Sequence, residues 1–402
     1  MKYTLRPYQQ EASDAAVKFF SDKTTAKHNG LLILPTGAGK SLVIADIASK
    51  IDEPLLVLQP NKEICEQNVA KFASYGYSDY GIYSASLNRK EINRITFATI
   101  GSVMSHLDDF NVFHKILIDE CHLVNPRGGQ YKEFIEAVEG RQVIGLTATP
   151  YRLGQTIDPK TINSKWKKYG SILKFLTRTR PRVFDQVLYY CQVKTLLEGG
   201  FLAKLRYFDM NALELDRVKL NSTGADYDDE SLFKEFERVG FFEYTLNIVK
   251  RVMRPKDGSL RHGILVFCRF VEDAERLSDE LCGFCEVVSG ATPKKEREAI
   301  LERFKSGETE VVANVGVLTT GFDFPALDTI ILARPTMSLA LYYQTVGRAI
   351  RPYPGKDGWV IDLCGSVTKF GKVEDLWLDH DERGGWIITS NGKQLTNIMM
   401  TK

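Results

Sequence analysis

Nine short, mainly aliphatic runs constrain this chain more than any other feature of its sequence. Five lie in the first half, at Leu31–Leu34, Leu55–Leu58, Ile95–Ala98, Ile116–Ile118 and Val143–Leu146, each leading into a turn and then an amphipathic stretch. Runs that are apolar without alternation suit strands buried on both faces, as in a parallel sheet covered by helices. The theme restarts with Ile264–Phe267, Val287–Val288, Val311–Ala313 and Thr329–Leu332 as strands and Val271–Leu281, Lys294–Phe304 and Ala340–Ile350 as helices. The expected fold class is therefore α/β, with two parallel-sheet domains in tandem. A length of 402 residues allows each domain its own core. The expected boundaries are 1–152 for the first domain, 153–204 for a basic insertion and linker, 205–372 for the second domain, and 373–402 for a small C-terminal hairpin carrying Trp377, Trp386 and the Gly384-Gly385 turn.

The 53 Lys and Arg residues against 51 Asp and Glu leave a net charge of +2, so any contact with a polyanion must come from a local patch. Seven irregularly placed cysteines point to reduced thiols in a cytosol-like compartment. Cys282 and Cys285 form the only close pair, and a zinc ribbon would need a second, so ordinary buried cysteines are expected. The N-terminus turns polar at Gln9, Gln10, Glu11 and Asp14, and no apolar run approaches the roughly 18 residues of a membrane span. The expected protein is soluble and cytoplasmic, with no membrane partner.

The run that begins at Leu31 ends in Pro35-Thr-Gly-Ala-Gly-Lys-Ser41, a strand, a Gly-containing turn and a helix start. Gly37 and Gly39 let backbone N–H groups close on phosphate oxygens, Lys40 reaches the terminal phosphates and Ser41 ligates Mg²⁺. The strict phosphate-loop pattern has Gly where Leu34 stands. The strand Lys115-Ile-Leu-Ile-Asp-Glu-Cys-His122 ends in adjacent carboxylates, the placement that lets Asp119 hold Mg²⁺ and Glu120 orient and deprotonate an attacking water.

With these residues the chain resembles the superfamily 2 helicases and translocases along nearly its whole length. The resemblance implies two RecA-like domains binding ATP and Mg²⁺ between them, with Thr36, Gly37, Ala38, Gly39, Lys40 and Ser41 on the phosphates. Leu5-Arg-Pro-Tyr-Gln9 resembles the adenine-reading motif, with Gln9 on the base edge and Arg6 stacked near it. Gln59-Pro60-Asn61 and Thr99-Ile-Gly-Ser102 resemble motifs that hold a strand by its phosphates, as do Arg269 and Gly290 in the second domain. Thr147-Ala-Thr149 resembles the coupling motif, joined in that role by His122 and Gln344. In Gly316-Val-Leu-Thr-Thr-Gly-Phe-Asp323, Gly321 and Asp323 would face the nucleotide and Thr319 the nucleic acid. Gln344-Thr-Val-Gly-Arg-Ala-Ile-Arg351 resembles the arginine-finger motif, with Arg348 and Arg351 as the fingers on one helical face. The motif wording is similar to the RadD group of DNA-repair helicase-like ATPases, and no counterpart of that group's C-terminal cysteine-rich zinc module is expected within residues 1–402.

The implied partner is DNA, single-stranded or branched, with RNA as the alternative, and the implied state is a monomer. A rival reading is an ATP-gated clamp or scaffold that recruits recombination or repair proteins without unwinding. Asp226-Tyr-Asp-Asp-Glu230 reads as the acidic start of a helix rather than a metal loop. Between Lys160 and Arg182 lie eight Lys or Arg and no acid, interleaved with Trp166 and Tyr169. Lys165, Lys167, Lys168, Arg178 and Arg180 there suit DNA phosphates, or else a solvated surface insertion.

Overall fold

Each of the nine aliphatic runs becomes a strand, with ends within two residues of expectation. The computed structural model describes residues 4–26, 28–138, 141–157, 161–166, 169–256, 258, 261–319 and 322–400. Its strands are β1 Asn29–Ile33, β2 Leu55–Gln59, β3 Gly81–Ser84, β4 Arg89–Lys90, β5 Ile95–Thr99, β6 Lys115–Asp119, β7 Gln142–Thr147, β8 Tyr151–Ile157, β9 Tyr169–Phe175, β10 Gln186–Tyr190, β11 Leu205–Asp209, β12 Ile264–Cys268, β13 Cys285–Val288, β14 Val311–Asn314, β15 Thr329–Ala333, β16 Gly358–Asp362, β17 Leu376–His380, β18 Trp386–Ser390 and β19 Lys393–Gln394. The helices are α1 Pro7–Ser21, α2 Lys40–Lys50, α3 Lys62–Ser74, α4 Ile100–Met104, α5 Gln130–Ala137, α6 Val193–Glu198, α7 Asp229–Val239, α8 Phe241–Met253, α9 Val271–Glu280, α10 Lys294–Ser306, α11 Leu339–Val346 and α12 Ser366–Phe370.

The chain divides into two units, each assembled from three segments. The first comprises Met1–Arg152, Lys174–Gln192 and His380–Trp386, and the second Leu153–Leu173, Val193–Asp379 and Ile387–Lys402. The stretch 153–204 is thus shared between the units.

The first unit holds an eight-stranded sheet in the order β10-β1-β7-β6-β2-β5-β3-β4, parallel except for β4 against β3. Strands β2, β5, β6 and β7 are buried from end to end, which is why no alternation shows in their sequences. The registers Ile33↔Thr147, Gln59↔Thr99 and Asp119↔Leu146 align the carboxyl ends of five strands along one edge. Loops leaving that edge build the site in sheets of this kind.

The second unit has a parallel six-stranded sheet in the order β11-β16-β15-β12-β14-β13. Ile264, Val266, Ile331 and Ile361 form its core with Leu232, Phe236 and Val249 of α7 and α8. The expected acidic helix start is present, with the Asp228 carboxylate accepting the Ser231 N–H as the cap of α7. The C-terminal hairpin gains a third strand, β17-β18-β19.

One expectation is corrected. The helix over Ala340–Ile350 stops at Val346, and Gly347 caps it. Arg348 N–H and Ala349 N–H then bond to Thr345 and Val346 carbonyls in tighter turns, and Pro352 disfavours helical backbone at Arg351. Arg348 and Arg351 therefore do not share a helical face with Gln344. No helix among the described residues is long and apolar enough to cross a membrane.

Candidate functional site

The phosphate loop leaves β1 anchored by the Leu34 N–H on the Thr147 carbonyl. Gly37 and Gly39 both stand at φ +83°, in the left-handed region that glycine enters freely. At Gly39 a Cβ would also lie 2.5 Å from the Gln9 Nε2. That amide donates to the Ala38 carbonyl at 2.7 Å, and Tyr8 hydroxyl donates to the same oxygen at 3.0 Å. The Gln9 Oε1 accepts the Arg6 N–H at 3.0 Å and the side chain is buried, so in this structure Gln9 braces the loop. Gly39 caps α2, which presents Lys40 and Ser41 in its first turn.

Lys40 Nζ lies 3.3 Å from a Glu120 oxygen, and the other Glu120 oxygen lies 3.3 Å from His122 Nδ1. His122 Nδ1 is 3.0 Å from the Thr147 hydroxyl, whose oxygen accepts the Thr149 N–H at 3.0 Å. A continuous polar line thus runs from the phosphate loop through Glu120 to the end of β7, joining five sequence-selected residues. Glu120 stands at φ +51°, an uncommon backbone state for a residue with a side chain. Burial alone would raise its carboxyl, but the Lys40 charge and the His122 hydrogen bond outweigh that and hold it low.

Beside it, Asp119 is buried and accepts the Asn68 amide at 2.9 Å and the Glu120 N–H at 2.9 Å. Burial and the neighbouring Glu120 charge raise the Asp119 carboxyl, a cost that a bound divalent cation would offset. Asn68 had no motif to mark it, yet it is the one amide in the apolar stripe Ile64, Cys65, Val69 and Phe72 of α3. The Tyr131 hydroxyl is also buried near these groups, without a hydrogen-bond partner among the described residues, and burial raises its pKa with the Asp119 and Glu120 charges adding to the rise. Cys121 packs where Gly145 has no side chain, since a Cβ there would meet its sulfur at 2.6 Å.

A second cleft of about 680 Å³ in the first unit is lined by Pro60, Asn61, Thr99 and Ser102, the four strand-holding residues selected there. Tyr83 and Lys90 join them. The Asn61 side chain caps α3 through the Ile64 N–H, and the Ser102 hydroxyl accepts the Ala85 N–H. Both groups are therefore fixed in place. Gln59, at the end of β2, keeps its buried amide without a partner among the described residues.

In the second unit Arg351 is ion-paired with Asp323, and Arg348 is buried with its guanidinium on the Phe322 and Gln344 carbonyls. Asn314 Oδ1, at the end of β14, accepts the Val317 and Leu318 N–H groups and shapes the turn toward half-buried Thr319. Gly290 is exposed beyond β13. Arg269 is mostly buried and paired with Asp226 at 3.1 Å and Asp229 at 2.6 Å, so it is not a free cation. In the basic stretch Lys165 is exposed, Arg180 donates to the Thr179 carbonyl, and Arg178 is paired with Asp381. The acid missing from that stretch is supplied from two hundred residues away. Gly321, Lys167 and Lys168 lie outside the described residues.

The family described as "Type III restriction enzyme, res subunit" matches residues 2–152, and "Helicase conserved C-terminal domain" matches residues 245–353. The chain is 24% identical over 389 residues to the putative ATP-dependent helicase IRC3 of Saccharomyces cerevisiae, covering 90% of this chain and 52% of that protein. It is 25% identical over 386 residues to the DNA 3'-5' translocase XPB2 of Sulfurisphaera tokodaii, covering 92% and 82%. The DNA-bound Type ISP restriction-modification enzyme LlaBIII shares the fold at a TM-score of 0.62 and 18% identity, covering 90% of this chain and 28% of that one. The chain thus spans about half of IRC3 and just over a quarter of LlaBIII. Two consecutive helicase domains, together with a phosphate loop wired to a strand-end Asp-Glu pair, make this chain a member of the superfamily 2 helicases.

Proposed function

We propose that the chain is an ATP-driven motor that moves along DNA and that its ATPase is stimulated by the strand it holds. The observation that carries this reading is the polar line Lys40–Glu120–His122–Thr147–Thr149. Lys40 and Glu120 hold each other at 3.3 Å. Phosphate oxygens draw Lys40 away, and the released Glu120 carboxylate is then available to orient water. His122 and Thr147 feel that exchange directly and pass it to the strand end. Ser41 and Asp119 would hold Mg²⁺, a hard cation satisfied by one or two protein oxygens plus phosphates and waters. The ion supplies neutralising charge on the phosphates. Arg348 and Arg351 would act as fingers on the transferred phosphoryl group, Arg351 exchanging Asp323 for phosphate.

The cleft at Pro60, Asn61, Thr99 and Ser102 takes the strand through its sugar-phosphate backbone. Repair or recombination is the setting suggested by the RadD-like motif wording, and DNA is preferred to RNA on the same ground. Steady-state ATPase assays with no polynucleotide, single-stranded DNA, forked DNA and RNA test the reading. Turnover should depend on Mg²⁺ and rise most with DNA. Greater stimulation by RNA would replace DNA as the substrate, and hydrolysis indifferent to every polynucleotide would overturn the motor.

A further inference from the structure

The second unit contains a cavity of about 620 Å³ whose walls include none of the residues assigned above to nucleotide or nucleic acid. That volume is in the range of small-molecule sites. Leu213, Leu395 and Met399 give it apolar walls, and two lysines, Lys369 and Lys393, also line it.

Lys369 carries the argument. Its Nζ lies 3.3 Å from the Tyr227 hydroxyl and 2.6 Å from the Met337 sulfur, with the Tyr227 and Phe370 rings at 5.5 and 5.8 Å. Among the described residues no carboxylate comes within 4.0 Å of it. Burial pushes this ammonium down to about 8 against the pull of Asp226, and the Lys393 charge adds to the fall. A desolvated cation without a counter-ion is costly, and an anion placed in the cavity removes the cost.

The other charges set the valence of that anion. Arg217 and Glu214 line the cavity but neutralise each other at 2.6 Å. Asp216 offsets one of the two lysines, so the lining carries one net positive charge. We propose that this cavity binds a small organic monoanion, its carboxylate or sulfonate on Lys369 and its apolar body against Leu213, Leu395 and Met399.

Naphthalene-1-sulfonate and the uncharged naphthalene-1-methanol are suitable probes, titrated calorimetrically into the full chain with a non-hydrolysable ATP analogue saturating the phosphate loop. One saturable site is expected for the sulfonate, with the alcohol at least about tenfold weaker. Lys369→Met should cost the sulfonate about tenfold or more and spare the alcohol. Lys393→Ala, at an exposed position, should weaken the sulfonate a few-fold without disturbing the fold. Equal affinity for the two probes, which needs no variant to measure, would overturn the proposal. So would unsaturable binding, or sulfonate affinity unchanged in both lysine variants.

Discussion

At the scale of single residues the polar line makes Glu120 the position with the sharpest consequence. Glu120→Gln should retain ATP binding and lower turnover roughly 100-fold or more, as loss of a water-orienting carboxylate does. Nucleotide titration beside steady-state turnover separates the two effects. Asp362, at the end of β16, offers a test by pH. Burial pushes its carboxyl up to about 6, with Asp209 adding to the rise and the Val367 and Cys364 N–H groups opposing it. The folded state therefore keeps a proton that the unfolded chain releases near pH 4, and stability falls as pH rises from about 4 to about 6. Asp362→Asn should flatten that slope, gaining about 1–3 kcal/mol on the parent between pH 4 and pH 7 in chemical denaturation. The motif residues of the phosphate loop and the Asp-Glu pair were legible because local geometry fixes what they can do. Arg178 and Arg269 were not, because a sequence shows a charge but not its partner. Asp381 and Asp226 reach them through the fold.

At the scale of elements the carboxyl end of β7 is where hydrolysis and strand grip should meet. Thr147→Val keeps the shape but removes the bonds to His122 and to the Thr149 N–H. Losing those two buried bonds should cost about 1–3 kcal/mol. Basal ATPase should persist within a few-fold while stimulation by DNA is largely lost, which turnover with and without single-stranded DNA will show. Element existence was legible wherever a strand is buried on both faces, since continuous apolarity has few other meanings. The end of α11 was not. Periodicity continues through Ile350, whereas the backbone changes at Gly347 under the influence of local turns and of Pro352.

At the scale of the whole molecule a net charge of +2 means that strand affinity must be local. Lys90, exposed at the first unit's cleft, should contribute to it. Lys90→Ala should flatten the slope of log affinity against log salt by roughly 0.7–0.9, whereas Arg178→Ala, already neutralised by Asp381, should leave it unchanged. Fluorescence anisotropy across a salt series distinguishes them. The segmented make-up of the units predicts the behaviour of fragments. A chain stopped at Arg152 lacks β10 and exposes the edge of the apolar strand β1, so it should aggregate, while one continued to Gln192 should be more soluble. Sedimentation of the two fragments decides.

The same segmentation bears on how the protein is made. A ribosome that has delivered the phosphate loop, the Asp-Glu pair and the whole central sheet of the first unit has not yet delivered His380–Trp386, which belong to that unit and hold Arg178. Neither unit can be completed early and left to wait for the other. Both reach their final form only once residues 380–402 have emerged, so a stop before residue 380 would damage the ATP-binding unit as well as the one being translated.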